Sequence, residues 1–140
     1  MPDISATIRS ITLADASVSA LVGSRMYSDI LPQKATMPAI TYEVVDTIAN
    51  EHLTGIADVA QARIQINSVA KTRSEAIALA DAVRLALQKK HRGDNSGQFI
   101  NEISLAQGEQ TTFDPPEAGT DQRRFVTILE FDVFYRTTTS

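Results

Sequence analysis

The sequence contains no cysteine, and only two of its 140 residues are histidine. The lack of cysteine excludes disulfides, thiolate chemistry and every zinc site that uses cysteine ligands, and it suits a chain that works in a reducing cytosol. His52 and His91 have no second histidine or carboxylate at the spacing of metal ligands. The sequence therefore predicts neither a metal centre nor another cofactor.

Long apolar runs are also missing. No run approaches the roughly 20 residues that cross a bilayer, and the start of the chain lacks the basic and apolar regions of a secretory signal. We expect no membrane partner and no export.

The net charge of −4 disfavours a general attraction to nucleic acid. The length of the chain suits one domain over residues 1–140, and the hydrophobic fraction of 43% is enough for its core.

Familiar catalytic motifs are missing too: there is no glycine-rich phosphate loop, nucleophile elbow or HExxH helix. The strongest catalytic alternative is the pair Glu130 and Asp132, which share one face of a predicted strand about 7 Å apart. Such a pair could hold a cation or exchange protons. A solvent face or a subunit contact explains it better, so we expect no catalytic residues.

Hydrophobic periodicity and turn residues divide the chain into six elements. They are a helix over 3–21, strands over 40–48 and 62–67, a helix over 72–92, and strands over 99–105 and 125–135. Prolines stiffen an extended connection over 24–38, and exposed loops are predicted over 50–58 and 112–124. The order α-β-β-α-β-β predicts an α+β fold: a mainly antiparallel sheet of about four strands with two helices packed on one face.

Two polar clusters have open interpretations. Arg63, Gln65 and Asn67 form a row on one strand face, which could line a wet subunit interface or be ordinary surface. The basic cluster over 89–92 could contact DNA phosphates. Complementing the dipole at the end of the preceding helix is the better explanation.

One series of segments is more specific than composition. It comprises Leu21-Val22-Gly23-Ser24-Arg25-Met26-Tyr27, Leu31-Pro32-Gln33, Pro38-Ala39-Ile40-Thr41-Tyr42, Arg63-Ile64-Gln65-Ile66-Asn67, the helix over 75–83 and Phe131-Asp132-Val133. In this order the segments resemble a phage tail-completion family of small head–tail joining proteins, often catalogued as a domain of unknown function. The family is more distantly similar to the tail terminator of phage lambda. The segments over 93–98 and 112–124 match nothing in it, which leaves partner contacts there open.

The resemblance implies a non-enzymatic virion protein of a phage or prophage, which completes the tail and joins it to the head. It would form a ring, commonly a hexamer, at the tail–head junction after folding in the host cytoplasm. Its partners would be its own copies, the tail tube protein and the head–tail connector protein, with no cofactor. DNA would only pass through the ring. The main alternative is a small-molecule-binding α+β module, which would show a pocket lined by convergent polar groups.

The site residues fall into two sets. The scaffold of the family motif consists of Gly23, Arg25, Tyr27, Pro32, Pro38 and Tyr42. The candidate contacts with other subunits or partners are Arg63, Gln65 and Asn67 in the polar row and Glu51, His52, Asp114, Glu117 and Asp121 in the loops.

Overall fold

The computed structural model describes residues 4–32, 35–49, 59–89, 91–95, 98–114 and 124–136. The chain begins with two helices, α1 (Ile4–Ala14) and α2 (Ala16–Val22). Between them Asp15 is extended, and its Oδ1 accepts hydrogen bonds from the N–H groups of Ser17 at 2.9 Å and Val18 at 3.4 Å. The single predicted helix was therefore wrong, because an aspartate that caps a new helix interrupts the preceding one.

Among the described residues, six strands form one sheet. They are β1 (Met26–Ser28), β2 (Ala39–Ala49), β3 (Val59–Ala70), β4 (Gly93–Asn95), β5 (Gln98–Asp114) and β6 (Arg124–Arg136). Their order across the sheet is β1-β2-β3-β6-β5-β4. The β1–β2 pair is parallel, whereas the other neighbours are antiparallel, including the predicted β2–β3 pair.

The expected architecture of about four antiparallel strands and two helices was wrong. The described residues form a mixed sheet of six strands and three helices. The two unexpected strands, β1 and β4, contain three residues each, which is too short for an alternating pattern to appear. The strand β1 also lies in the predicted extended connection, where it forms an edge of the sheet ahead of both prolines.

The third helix, α3 (Arg73–Gln88), begins as predicted at Thr72, whose Oγ1 accepts a hydrogen bond from the N–H of Glu75 at 3.2 Å. It ends at Gln88 rather than just before Gly93, which instead opens β4. The prediction placed this end too late because the basic residues after Gln88 resemble a last helical turn. In the described part of the chain, no helix is long and apolar enough to cross a membrane.

One face of the sheet and the three helices enclose the core. Alternate residues of β3 and β6 point into it together with one side of each helix. Fully buried members include Ile8, Val18, Ile64, Ile66, Leu79, Val83, Leu129 and Phe131. The opposite face of the sheet carries none of the three helices, and the predicted polar row lies there.

Candidate functional site

The side of the sheet that faces away from the helices forms a surface that we call the open face. Strand pairing sets its side chains in rows across β2, β3 and β6. Its central members are Thr41, Glu43, Arg63, Gln65, Asn67, Ile128, Glu130 and Asp132. This face brings together all three predicted contacts of the polar row and both carboxylates of the catalytic alternative.

Arg63 and Asp132 form a two-pronged ion pair across β3 and β6. The Arg63 Nε donates to Asp132 Oδ1 at 3.1 Å, and Nη2 donates to Oδ2 at 3.4 Å. The bond from Arg63, aided by one from Gln61, lowers the pKa of the Asp132 carboxyl. The same pair raises the pKa of Arg63. Asp132 is thus held as a carboxylate by a cation.

This ion pair weakens the catalytic alternative. A carboxyl that exchanges protons near neutral pH needs a raised pKa, whereas that of Asp132 is lowered. Among the residues that the structure describes, no group of three histidine or carboxylate side chains could hold a metal ion. The pair Glu130 and Asp132 therefore fits a structural surface better than an acid–base site.

Gln65, Asn67 and Thr41 form a second polar connection on the open face. The Gln65 Nε2 donates to Asn67 Oδ1 at 3.0 Å, and Asn67 Nδ2 donates to Thr41 Oγ1 at 3.2 Å. Because each side chain is held by the next, the row has a fixed shape before any partner arrives. Such preorganised polar groups lose little conformational freedom on binding.

A groove of about 410 Å³ runs between the open face and the segment that follows β1. Its lining includes Asp29, Ile30, Asn67, Arg124 and Ile128. Polar groups converge on it, as a small-molecule-binding module would require. The groove is nevertheless open to solvent, and Ile30 on its rim is 78% exposed. Small-molecule sites usually enclose most of the ligand surface, so this shape fits a polypeptide surface better.

The family-motif residues hold the chain between α2 and β2. Gly23 ends α2 with a φ of +61°, a conformation that favours glycine. The Arg25 Nε donates to Pro38 O at 3.0 Å, and Nη2 donates to Leu21 O at 3.2 Å. Arg25 therefore ties the end of α2 to the start of β2.

The remaining motif residues do not share one surface, and Tyr27 pairs with Thr41, which places it on the open-face side of β1. Tyr42 is buried in the core, Tyr27 is half-buried and Pro32 is exposed. Sequence reasoning missed Arg9 of α1, which donates to Met26 O at 3.1 Å and Ser24 O at 3.2 Å. Nothing local in the sequence signals this role, because its acceptors are backbone carbonyls in another element.

In the part of the chain that it describes, the structure assigns none of the predicted loop contacts to the open face. Glu51, His52, Glu117 and Asp121 lie outside the described residues. Only the backbone of Asp114 is described, and it ends β5 rather than lying in a loop. The segment over 112–114 was thus wrongly predicted as loop, because pairing with β6 extends β5 to Asp114.

The basic cluster is largely engaged within the chain, although Lys90 lies outside the described residues. The Lys89 Nζ lies 2.8 Å from Asp15 Oδ2, and a ring nitrogen of His91 lies 2.6 Å from Ala86 O. The Arg92 guanidinium stacks 5.9 Å from the centre of the Phe99 ring. These contacts favour a structural role for the cluster over a phosphate site, although the last turn of α3 itself contains no basic residue.

Comparisons with known proteins place the chain in a family. A chain from the virion of a native gene transfer agent particle has the same fold, with a TM-score of 0.63 and 18% sequence identity. The alignment covers 94% of this chain and 93% of that one. No curated protein matches significantly. The family model described as tail completion protein gp17 matches residues 6–134. Because this match spans nearly the whole chain, the protein belongs to the tail completion protein gp17 family, whose members are structural proteins of the phage tail.

Proposed function

We propose that the protein is a non-enzymatic subunit of a ring that closes the phage tail and joins it to the head connector. The observation that carries the proposal is the family match over residues 6–134. The similar fold of a chain from a gene transfer agent virion supports a place in the assembled particle. The tail tube protein and the head–tail connector protein are the proposed partners, and DNA passes through without being bound.

The open face is the proposed contact surface within the assembly. Arg63, Gln65 and Asn67 are held in place by neighbours and remain half-exposed or exposed, so they can meet a partner without first becoming ordered. A mixed polar and apolar surface of this kind suits a hydrated interface. Glu51, His52, Asp114, Glu117 and Asp121 remain proposed contacts along the tail axis.

A small-molecule-binding module is the second candidate, and the groove over the open face is the observation that favours it. The two functions separate in a binding experiment. A small-molecule receptor gains thermal stability from a ligand that fills the groove. An assembly subunit instead gains stability from purified tails.

Complementation of a phage or prophage that lacks the gene tests the proposal. We expect heads and tails to accumulate unjoined without the gene and to join when the wild-type chain is supplied. Gln65→Lys on the open face should fail to restore joining, whereas Ala78→Lys on the exposed side of α3 should restore it. Full infectious yield without the gene would refute the function.

Full rescue by Gln65→Lys would refute the contact surface alone. Negative-stain images and the mass of the purified chain in solution report separately on whether rings form.

A further inference from the structure

Both edges of the sheet are covered over only a few residues. The strand β1 pairs with β2 only from Ile40 to Tyr42, and β4 pairs with β5 only from Gln98 to Ile100. No described strand lies beside the remainder of β2, residues 43–49, or of β5, residues 101–114. We call these segments the β2 edge and the β5 edge.

The direction of backbone groups along the β2 edge follows from the residues that β1 covers. The Ile40 N–H donates to Arg25 O at 2.9 Å, and Tyr42 O accepts from the N–H of Asp29 at 2.8 Å. Residues 40 and 42 thus point their backbone groups away from β3. In an antiparallel ladder this direction alternates, so the backbone of Val44 also points outward.

The register is interrupted between Val44 and Asp46, after which Thr47 pairs with Ala62. In β3, the residues Ala62, Ile64 and Ile66 all point their backbone N–H and C=O groups away from β2. The backbone groups of Thr47, opposite Ala62, therefore point away from β3, toward the open edge. Strand β6 transmits this alternation to β5, because each β6 residue points its backbone groups either toward β3 or toward β5. The partners of Ile103 and Thr111 on β6 point theirs toward β3, so Ile103 and Thr111 point theirs away from β6, along the β5 edge. Rows of outward N–H and C=O groups are templates for adding another strand.

The two edges lack lysine and proline, although register shifts interrupt β2 between Val44 and Asp46 and β5 between Leu105 and Gln110. Monomeric proteins commonly protect an edge with lysine or proline. The segments 43–49 and 101–114 contain neither residue. The β2 edge also exposes two adjacent apolar side chains, Val44 at 38% and Val45 at 50%. Each edge also has an exposed carboxylate, Asp46 on the β2 edge and Glu102 on the β5 edge, and these charges restrict the registers in which the two edges can meet.

The two edges fit each other in direction. Since β2 and β6 are both antiparallel to β3, they run the same way, whereas β5 runs opposite to β6. The β2 edge and the β5 edge are therefore antiparallel and lie on opposite sides of one sheet. A ring requires such a pair, because its subunits join through two different surfaces.

We propose that the β2 edge of one copy pairs antiparallel with the β5 edge of the next copy, so that the sheet continues from subunit to subunit around the ring. The partner at this surface is thus a second copy of the same chain. The inference rests on the proposed ring, but it concerns a surface distinct from the open face.

Cysteine crosslinking tests this pairing directly, because the chain has no cysteine of its own. The variant Thr47→Cys is combined with Ile103→Cys or with Thr111→Cys, and a short bismaleimide is added to purified protein and to assembled tails. We expect at least one combination to give a covalent ladder of multiples of the chain mass. The single variants serve as controls, and their crosslinked products should be no larger than dimers because each copy carries one cysteine.

Proline substitution gives an independent test. Thr47→Pro removes an outward N–H while sparing the ladder with β3, and Thr47→Val keeps that N–H in the same place. We expect Thr47→Pro to retain the wild-type circular dichroism spectrum but to be lost from rings and tails. Thr47→Val should assemble normally.

Two results would overturn the edge pairing and leave the proposed function intact. One is rings or joined tails that give no crosslinked ladder. The other is a folded Thr47→Pro variant that enters rings or tails at the wild-type level. Absence of the protein from tails, together with normal infection when its gene is deleted, would overturn the function itself.

Discussion

Single side chains on the open face are held by partners distant in the chain. Arg63 and Asp132 meet through two hydrogen bonds although 69 positions separate them. The pKa of Asp132 is lowered chiefly by its bond to Arg63. The ion pair is partly solvated, with the Arg63 side chain 44% exposed. Its effect on stability is therefore small, and its main consequence is a fixed arrangement of charge on the proposed contact surface.

The substitution Asp132→Asn should make folding less dependent on acid pH. A lowered folded pKa means that the ion pair stabilises the fold above the ordinary carboxyl value, about pH 4, and that this contribution disappears as pH falls through the folded value. We expect the variant to melt slightly below the wild type at pH 7 and level with it near pH 2. Thermal melts across this pH range measure the difference. Glu102→Gln, at an exposed carboxylate, is the control, and parallel curves for wild type and Asp132→Asn would contradict the prediction.

The substitution Arg25→Lys should weaken the junction between α2 and β2. Arginine donates to two carbonyls from a rigid fork, whereas lysine presents a single flexible ammonium group. We expect the free energy of unfolding to fall by about 1–2 kcal/mol, as measured by urea denaturation. Arg84→Lys at an exposed pair on α3 should change it far less. Equal losses in the two variants would show that Arg25 has no special role.

At the scale of elements, the ends of the helices are set by single polar residues. Asp15 caps α2, and Thr72 caps α3. The cap of α3 matters more for the core, because this helix buries Leu79, Val83 and Leu87 against the sheet. A frayed first turn would expose the adjoining apolar side to water.

The substitution Thr72→Ala should destabilise the protein by about 1 kcal/mol, since the N–H of Glu75 loses its acceptor. Thr72→Ser keeps a hydroxyl at the same place and should remain close to the wild type. Urea denaturation of the two variants side by side measures the difference. A serine variant as unstable as the alanine variant would assign the effect to the lost methyl group instead.

At the scale of the whole molecule, one sheet presents several distinct surfaces. The helices cover one face, the open face carries fixed polar groups, and the two edges run along the sides. Axial and lateral contacts of the proposed ring can therefore use different parts of the chain without competing. The segment between β5 and β6, residues 115–123, joins the ends of two paired strands and lies outside the described residues.

Deleting part of the predicted loop over 112–124, within residues 115–123, should leave the domain folded but abolish joining of virions. The end pairs Phe113–Phe125 and Asp114–Arg124 remain in the chain, so a short replacement turn can connect the two strands. We expect a melting temperature within a few degrees of the wild type and a loss of infectious particles in complementation. Normal phage yield with the shortened chain would refute a role for this segment.

The sequence by itself determined the elements whose signals are local: the alternating strands β3 and β6, the capped helix α3, the antiparallel β2–β3 pair and the family motif. The length of β5 beyond Leu105 escaped prediction, because pairing with β6 rather than alternation keeps those residues extended. The short strands β1 and β4 were not predicted because three residues are too few to show an alternating pattern.

Within the candidate site, the sequence predicted the row of Arg63, Gln65 and Asn67 but not the partners that fix it. Asp132 and Thr41 reach that row through strand pairing across long separations. The open face and the two exposed edges are likewise products of the strand order, which no local pattern encodes. Only the tertiary structure decided them, because hydrogen bonding between distant segments, and not the preference of any residue, selects which strands become neighbours.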